Sequence, residues 1–353
     1  MPRLRRCDCS GTGLSRRRRG RGFSFSDEAG QPVTDPDVIE RIGSLAIPPA
    51  WQDVWICPDP LGHLQATGID AAGRKQYLYH RLWRERRDQQ KFDDMLEFAG
   101  ALPGLRRQVE RDIAGSELTR ERVLAGAVRL LDIGFFRVGS HDYAAQSGAR
   151  GLSTVLREQV TARTDGELVF DYTAKAGVHR VQSVADPEVH RLVRTLKRRR
   201  GGGEHLLAYR VGRRWHELDA ADINLYLKEH AAGDFSAKDF RTWNATVLAA
   251  VALAAQGLDP QTKTARQRTI NAAVKQVAGF LGNTPAVCRS SYIDPRVFDR
   301  FLSGWTIHGA LKDLGRPLEE LDPLDGDARG RVEEATLDLI ADRRTDALEK
   351  IAA

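Results

Sequence analysis

The spacing of apolar residues separates a strand-rich segment near the N-terminus from a mainly helical remainder. Residues 51–79 contain three short apolar runs, WQDVWICP, GHLQATGI and RKQYLYH, with turns rich in Pro, Gly and Asp between them. Short apolar runs bounded by turn residues predict the strands of a small sheet. After His80 the apolar residues return at helical spacing in RLWRERRDQQKFDDMLEFAGAL, which is typical of an amphipathic helix.

The rest of the chain has a mainly helical pattern with one β segment. Leu118 to Gly134 predicts an apolar helix that stops at a glycine and leads directly to Arg137 through two phenylalanines. In the β segment that follows, Ala176-Gly177 forms a hairpin turn, so we expect Lys175 at a hairpin tip. Further helices are predicted over residues 187–199, 219–230, 237–256, 263–281 and 328–351, with one strand in HLLAYRVG.

These patterns predict an α+β protein with two domains. A chain of 353 residues is longer than a usual single core. We expect residues 23–90 to form a small β-rich N-terminal domain and residues 91–353 a larger, mainly helical one. The longest apolar stretch, Val247–Ala255, is shorter than the ~20 residues of a membrane-spanning helix. No apolar segment of a secretory signal follows the first arginines, so we expect a cytoplasmic protein without a membrane partner.

Positive charge is concentrated at the N-terminus. The net charge is +6, and residues 1–22 contain eight arginines and one aspartate. We interpret residues 1–22 as a basic, flexible arm that gains phosphate contacts on nucleic acid. A solvated basic tail explains the same charge equally well.

The chain lacks the usual sequence signs of metal or nucleotide chemistry. Cys7 and Cys9 form a lone C-x-C without the partner pair of a zinc site. Gly201-Gly202-Gly203 is not followed by the G-K-[ST] of a phosphate-binding loop, and no carboxylate cluster suggests a two-metal site. We therefore expect no metal and no cofactor.

Five segments closely resemble the catalytic boxes of type IB DNA topoisomerases, and in particular those of their bacterial, poxvirus-like branch. In chain order they are GRKQYLYH (73–80), FFRVGS (135–140), YTAKAG (172–177), AKDFRTWNAT (237–246) and LGNTPAVCRSSYI (281–293). Five ordered segments are more specific than any single short motif. The resemblance implies a mainly helical catalytic domain of the topoisomerase IB and tyrosine recombinase type, with its catalytic lysine on a β-hairpin.

The resemblance also implies a role for each site residue. Tyr292 would be the nucleophile, and its 3′-phosphotyrosyl bond would store the energy needed to reseal the strand without ATP. Arg137 and Arg241 would stabilise charge on the non-bridging phosphate oxygens by charge-assisted hydrogen bonds. Lys175 would protonate the departing 5′ oxygen. Asn283 would donate a further hydrogen bond where viral and eukaryotic members carry histidine, without adding a charge.

Further residues, two of them in the first of the five segments, are candidates for DNA contacts. Gln76 and Tyr77 resemble the family's major-groove contacts. Tyr143 is a candidate backbone contact, although a core tyrosine is equally consistent with its position. The candidate phosphate contacts of the arm are Arg16, Arg17, Arg18 and Arg19.

The resemblance implies a monomer that clamps double-stranded DNA between its two domains and is associated with the nucleoid. It would relax positive and negative supercoils by single-strand cleavage, strand rotation and religation. A tyrosine recombinase is the nearest alternative, but recombinases usually have H-x-L-R where this chain has Lys238-Asp239-Phe240-Arg241. A non-catalytic DNA-binding protein would explain the charge but not the five segments.

Overall fold

A five-stranded antiparallel sheet forms the centre of the N-terminal unit, in the order β2-β1-β3-β4-β5. Its core contains Ile42, Val54, Ile56 and Ala66, which are buried between the sheet and helix α1. The helix begins where Asp35 accepts a hydrogen bond from the backbone of Asp37. The elements are β1 Leu14–Arg19, β2 Gly22–Ser26, α1 Pro36–Ser44, β3 Gln52–Ile56, β4 Leu64–Ile69 and β5 Lys75–Tyr79.

The computed structural model describes residues 2–256, 262–314 and 326–351. By internal contacts the chain divides into two units, residues 1–92 and 93–353, and the division falls within the long helix α2. The expected combination of an N-terminal sheet with a mostly helical remainder is confirmed. None of the described helices has the length and apolar character needed to cross a bilayer.

Part of the expected basic arm is a strand of the sheet. Leu14–Arg19 forms β1, which pairs with β2 on one side and with β3 on the other. The Arg16 guanidinium donates to the backbone carbonyls of Ile47, Pro48 and Trp51 at 3.1, 2.9 and 2.8 Å. The Arg16 side chain therefore supplies hydrogen-bond donors to the loop before β3. Arg17, Arg18 and Arg19 are exposed. Interpreting residues 14–19 as an arm outside the fold was wrong.

Helices make up most of the C-terminal unit, and each predicted helix is present. The elements are α2 Arg81–Ile113, α3 Arg120–Gly134, α4 His141–Ser147, β6 Val160–Ala162, β7 Glu167–Ala174, β8 Val178–Ala185, α5 Pro187–Arg198, β9 Ala208–Val211, β10 Arg214–Glu217, α6 Ala220–His230, α7 Ala237–Ala254, α8 Lys263–Leu281, α9 Pro285–Ser291, α10 Pro295–Leu302, β11 Trp305–Thr306, α11 His308–Asp313, α12 Gly326–Ile340 and β12 Glu349–Lys350.

The last helix is shorter than the sequence pattern predicts. The helix expected over residues 328–351 ends at Ile340, and Asp342 then adopts a left-handed conformation with φ of 57°. The chain turns back so that β12 pairs with β11, and the Arg344 guanidinium lies 4.0 Å from the Trp305 ring centroid. The segment predicted as an acidic C-terminal helix therefore consists of a shorter helix, a turn and a short strand.

A buried ion network joins four helices beneath the C-terminal end of α3. Asp132 of α3 is 2% exposed and accepts from Arg106 of α2 at 2.9 and 3.0 Å and from Arg329 of α12 at 2.5 Å. Glu333 binds the same two arginines, and Asn244 of α7 donates to the Asp132 carbonyl at 2.8 Å. Burial opposes ionisation of Asp132, but Arg329 and Arg106 outweigh it and lower its pKa to about 2.

We expect the substitution Asp132→Asn to lower the free energy of unfolding by about 3–5 kcal/mol, because two buried arginines then share Glu333 as their compensating charge. Urea unfolding at neutral pH measures this change. Glu85→Gln is a suitable control, since Glu85 pairs with Arg81 on the exposed surface of α2; that change should stay within about 0.5 kcal/mol. Equal effects of the two substitutions would contradict a stabilising role for the network.

The contribution of Asp132 should also depend on pH. Its folded pKa of about 2 lies below the unfolded value of ~3.9, so its stabilising effect is complete above the unfolded value and is lost as pH falls towards 2. The stability difference between the wild-type protein and Asp132→Asn should therefore shrink in acid unfolding series. A difference that stays constant down to pH 2 would contradict the ionised form of Asp132.

Candidate active site

Arg137 reaches the site because α3 ends in a sharp turn. Phe135 caps the helix in the left-handed conformation with φ of 54°, after which Phe136 packs into the core. The backbone carbonyls of Arg137 and Val138 accept from Leu152 and Ser153 at 2.8 and 2.7 Å, which holds the segment after the turn. The buried end of α3 thus fixes the position of the Arg137 backbone.

Arg241 lies one-third of the way along α7 and is 3% exposed. Its guanidinium donates to the Phe135 carbonyl and, at 2.9 Å, to the Leu281 carbonyl. Its Cζ atom lies 5.2 Å from the centroid of the Tyr292 ring. One buried side chain therefore contacts three segments: the end of α3, the end of α8 and the residue after α9.

The loop between α8 and α9 places Asn283 beside Arg137. Gly282 ends α8 in the left-handed conformation, and the Asn283 backbone donates to the Ala278 carbonyl at 3.0 Å. The Asn283 side-chain oxygen accepts from Arg137, which also donates to the Gly282 carbonyl at 3.2 Å. The assignment of oxygen and nitrogen in this amide follows from the hydrogen-bond network. Asn283 thereby orients one face of the Arg137 guanidinium.

Tyr292 directly follows α9, and both of its backbone polar groups are engaged. Its N–H donates to the Cys288 carbonyl at 3.0 Å, and its carbonyl accepts from the Thr246 hydroxyl of α7 at 3.4 Å. The same hydroxyl oxygen accepts from the Asp294 N–H at 3.1 Å. The tyrosine is therefore held by its backbone against Thr246 of α7, five residues beyond Arg241 on the same helix.

Lys175 occupies the turn between β7 and β8, which are paired antiparallel over their full length. The turn is a 3-10 segment, Lys175–Gly177, in which Ala176 has a φ of 66°. Lys175 is exposed, and its Nζ lies 5.9 Å from the Tyr143 ring centroid. Because the Lys175 side chain is exposed at a hairpin tip, it can reach a ligand without breaking a buried contact.

One cavity of about 260 Å³ brings most of the predicted site residues together. Arg137, Lys175, Arg241 and Tyr292 line it, and so does Tyr143. Asn283 does not line the cavity, but its side chain accepts a hydrogen bond from Arg137. All six residues belong to the C-terminal unit.

The other predicted DNA contacts lie in the N-terminal unit. Gln76 and Tyr77 are neighbours on β5, and strand alternation turns them to opposite faces of the sheet. Gln76 donates to Asp70 at 2.8 Å, while Tyr77 is 47% exposed and stacks against Tyr79. Arg17, Arg18 and Arg19 are exposed on β1, whereas Arg16 is bound to backbone carbonyls.

Positive charge dominates the electrostatics of the cavity. Burial and, next to it, the neighbouring charge of Arg137 lower the pKa of Arg241 to about 10, although Tyr292 acts in the opposite direction. Burial by itself would raise the pKa of the Tyr292 phenol. The charges of Arg241 and Arg137, with a hydrogen bond from Arg241, outweigh it and lower that pKa below its ordinary value. The site therefore makes the Tyr292 phenol easier to ionise than a free tyrosine.

Two buried donors in the site have no hydrogen-bond partner among the described residues: Arg241 Nε and Asn283 Nδ2. Buried donors are nearly always paired, because an unpaired one costs about 1–3 kcal/mol. Their position beside Arg137 and Tyr292 suits an incoming group rich in oxygen acceptors. The arrangement can thus stabilise negative charge on a bound phosphodiester.

Sequence reasoning missed three basic residues near the site. Lys238 and Arg150 line the cavity, and the charge of Lys238 also lowers the pKa of Tyr292. Arg180 of β8 donates to the Phe280 carbonyl at 2.8 Å, beside the loop that carries Asn283. Lys238 could have been found from its helical spacing, since it precedes Arg241 by three positions on α7. Arg150 and Arg180 carried no comparable signal.

We expect Arg137→Met to raise the pKa of Tyr292, because it removes one of the two guanidinium charges that favour the phenolate. Alkaline ultraviolet titration measures this pKa. The titration curve of each protein is compared with that of the same protein carrying Tyr292→Phe, and the difference between the two curves belongs to Tyr292. Arg137→Met leaves the contacts of Arg241 with Phe135 and Leu281 in place. The matched control is Arg268→Met, an exposed arginine of α8; an equal shift in both variants would refute a local electrostatic effect.

Comparison with known proteins agrees with the fold. A model of the family described as eukaryotic DNA topoisomerase I, catalytic core, matches residues 80–301, and one of the bacterial DNA topoisomerase IB N-terminal domain matches residues 22–70. The chain is 28% identical over 277 residues to DNA topoisomerase 1B of Acanthamoeba polyphaga mimivirus, covering 74% of this chain and 79% of that protein.

More distant relatives match the chain over a shorter region. DNA topoisomerase 1 of Schizosaccharomyces pombe is 28% identical over 160 residues, and that of Daucus carota is 24% identical over 159 residues. Each match covers 45% of this chain and 19% of the relative. Because the catalytic-core model matches more than half of the chain and a bacterial N-terminal domain precedes it, the chain belongs to the type IB DNA topoisomerase family.

Proposed function

We propose that this topoisomerase cleaves one DNA strand with Tyr292 and reseals it after strand rotation, through a 3′-phosphotyrosyl intermediate. The observation that carries the proposal is the Tyr292 ring beneath the Arg241 guanidinium, in a cavity that Arg137 and Lys175 also line. These groups supply a nucleophile, two cations for phosphate oxygens and a proton donor. No step needs a nucleotide or a metal ion.

In the first step the Tyr292 oxygen attacks the phosphorus, and the bond from phosphorus to the 5′ oxygen breaks. Because Arg241 and Arg137 lower the pKa of the phenol, a larger fraction of Tyr292 is ready to attack at neutral pH. Water takes up the phenol proton. Religation is the same step in reverse, with the 5′ hydroxyl as nucleophile and Tyr292 as the leaving group.

Negative charge on the non-bridging oxygens grows in the transition state. Arg137 and Arg241 are already fixed by backbone carbonyls, so little reorganisation is needed to bind these oxygens. The unpaired Arg241 Nε and Asn283 Nδ2 add two donors. Asn283 also holds Arg137 in position, so its loss would affect both the amide contact and the guanidinium orientation.

Lys175 is the general acid for the 5′ oxygen in this proposal. It lies on the β7–β8 turn, on the wall of the cavity that Tyr143 and Arg150 share. The β7–β8 hairpin would then be the hairpin that carries the catalytic lysine. The exposed side chains of Arg17, Arg18, Arg19 and Tyr77, with Gln76, are proposed DNA contacts of the N-terminal unit.

We further propose that the protein acts as a monomer that clamps duplex DNA and relaxes supercoils of both signs. The free 5′ end rotates under torsion of either sense, because only the 3′ side is bound covalently. The proposed location is the nucleoid, where the substrate is present.

Relaxation of a supercoiled plasmid in excess EDTA tests the proposal as a whole. We expect full relaxation of positively and negatively supercoiled plasmid by the intact protein, and no detectable relaxation or covalent adduct with Tyr292→Phe. Retained DNA binding by this variant in a gel-shift assay is the folding control. Adduct formation by Tyr292→Phe would show that another tyrosine is the nucleophile. Attachment to a labelled 5′ phosphate would refute the proposed polarity.

A substrate with sulfur in place of the 5′ bridging oxygen tests Lys175. Lys175→Ala should cleave ordinary DNA about 10²–10⁴-fold more slowly. It should cleave the sulfur substrate at nearly the wild-type rate, since a thiolate leaves without a proton. Arg137→Ala is the matched control and should stay slow on both substrates. If sulfur fails to restore cleavage by Lys175→Ala, the lysine is not the general acid.

A further inference from the structure

Three side chains that bind metals in proteins meet on the C-terminal unit outside the cavity. They are His141, His205 and Glu217, and one ligand atom from each lies within 4.8 Å of the others. His141 begins α4, His205 precedes β9, and Glu217 ends β10. Chain folding, not a local motif, therefore brings them together. None of the three lines the cavity that holds Tyr292.

Existing contacts orient each of these side chains. His141 Nε2 lies 3.2 Å from the Leu218 carbonyl, so the ring donates there and keeps the lone pair of Nδ1. A histidine that ligates a metal commonly donates its other N–H to a backbone carbonyl in this way. His205 Nδ1 lies 2.7 Å from Glu217 Oε2, and the rings of His141 and His205 meet edge to face at 4.8 Å.

The turn before His205 is shaped around the Glu217 carboxylate. Gly203 has a φ of 72°, and a Cβ atom at this position would lie 1.9 Å from Glu217 Oε1. Any other residue at this position would displace the carboxylate from its present place. The carboxylate is about one-third exposed and the His205 side chain is less exposed, at 18%. One side of the cluster is thus open to water.

We propose that His141, His205 and Glu217 form a binding site for one divalent transition-metal ion of the zinc, cobalt and nickel class. Two imidazoles and one carboxylate are a usual protein donor set for such ions, with water in the remaining position. The ion takes the place of the proton that His205 and Glu217 share, and that proton leaves to solvent. Both imidazoles bind in their neutral form.

The present spacing is slightly wider than a filled site requires. Bonds of 2.0–2.2 Å in a tetrahedral site place ligand atoms roughly 3.4 Å apart. The largest of these separations must therefore shorten by up to about 1.4 Å, judged against the 4.8 Å within which the atoms lie. Rotation of the partly exposed side chains of His205 and Glu217 is sufficient. The bound ion would connect the first turn of α4 to the β9–β10 hairpin.

This site is separate from catalysis by Tyr292 and serves stability. His141 follows Ser140, which caps α4 and lines the cavity, so the ion would hold that wall in place. Relaxation in EDTA should continue without it. Metal binding and the proposed cleavage and religation steps of Tyr292 are therefore tested by different measurements.

Titration of the untagged full-length protein with cobalt(II) tests the proposal. We expect one cobalt ion per chain, with visible d–d absorption typical of nitrogen and oxygen ligands, displacement by zinc, and a higher unfolding temperature. His205→Gln and Glu217→Gln should each weaken cobalt binding at least tenfold. The matched control is His216→Gln, because His216 is exposed on the same hairpin and stacks on Tyr209 instead.

Three outcomes would overturn the site. The first is no saturable binding, which would leave His205 and Glu217 as a hydrogen-bonded pair only. The second is equal binding by His205→Gln and the wild-type protein. The third is a near-ultraviolet thiolate-to-cobalt band, which would place the ion at one or more of the free cysteines, Cys7, Cys9, Cys57 and Cys288.

Discussion

The Arg241 guanidinium is the contact on which the geometry of the active site depends. It is almost fully buried and donates to the carbonyls of Phe135 and Leu281, which precede Arg137 and Asn283 by only two residues each. The same group lies over the ring of Tyr292. Arg137, Asn283 and Tyr292 are thus positioned relative to one buried cation.

A buried cation of this kind is costly unless it is compensated, and Arg241 has no carboxylate partner among the described residues. Its carbonyl partners satisfy hydrogen bonds without neutralising the charge, and Arg137 and Arg180 add repulsion. A bound phosphodiester would neutralise this charge. Burial together with the neighbouring charge of Arg137 lowers the pKa of Arg241, and the charges of Arg241 and Arg137 lower the pKa of Tyr292.

Sequence patterns predicted the helices well because apolar faces repeat over many residues, as in α3 and α7. They failed where polar residues form regular structure. Arg16 to Arg19 lack an apolar alternation, yet β1 forms because the pairing comes from β2 and β3 and Arg16 bonds to carbonyls far along the chain. The end of α12 at Ile340 depends on pairing between β11 and β12, which no local pattern records.

The site itself was predictable only in part. Ordered short segments identified Tyr292, Arg137, Lys175 and Arg241, and the structure places them around one cavity. The contacts of Asn283 with Arg137, the role of Arg180 near Phe280 and the meeting of His141 with Glu217 depend on tertiary folding. Residues separated by seventy or more positions cannot be paired by spacing rules.

The two arginine clusters described in the C-terminal unit have different roles. In the network beneath α3, Asp132 and Glu333 compensate Arg106 and Arg329, so the helices α2, α3 and α12 are locked without any ligand. In the cavity, Arg241 and Arg137 are left uncompensated. Asn244 of the network and Arg241 of the cavity lie three residues apart on α7. The ion-paired network therefore supports the uncompensated arginines of the cavity. The protein can keep positive charges in a fixed array for phosphate because neutral ion pairs one helical turn away hold the same helix.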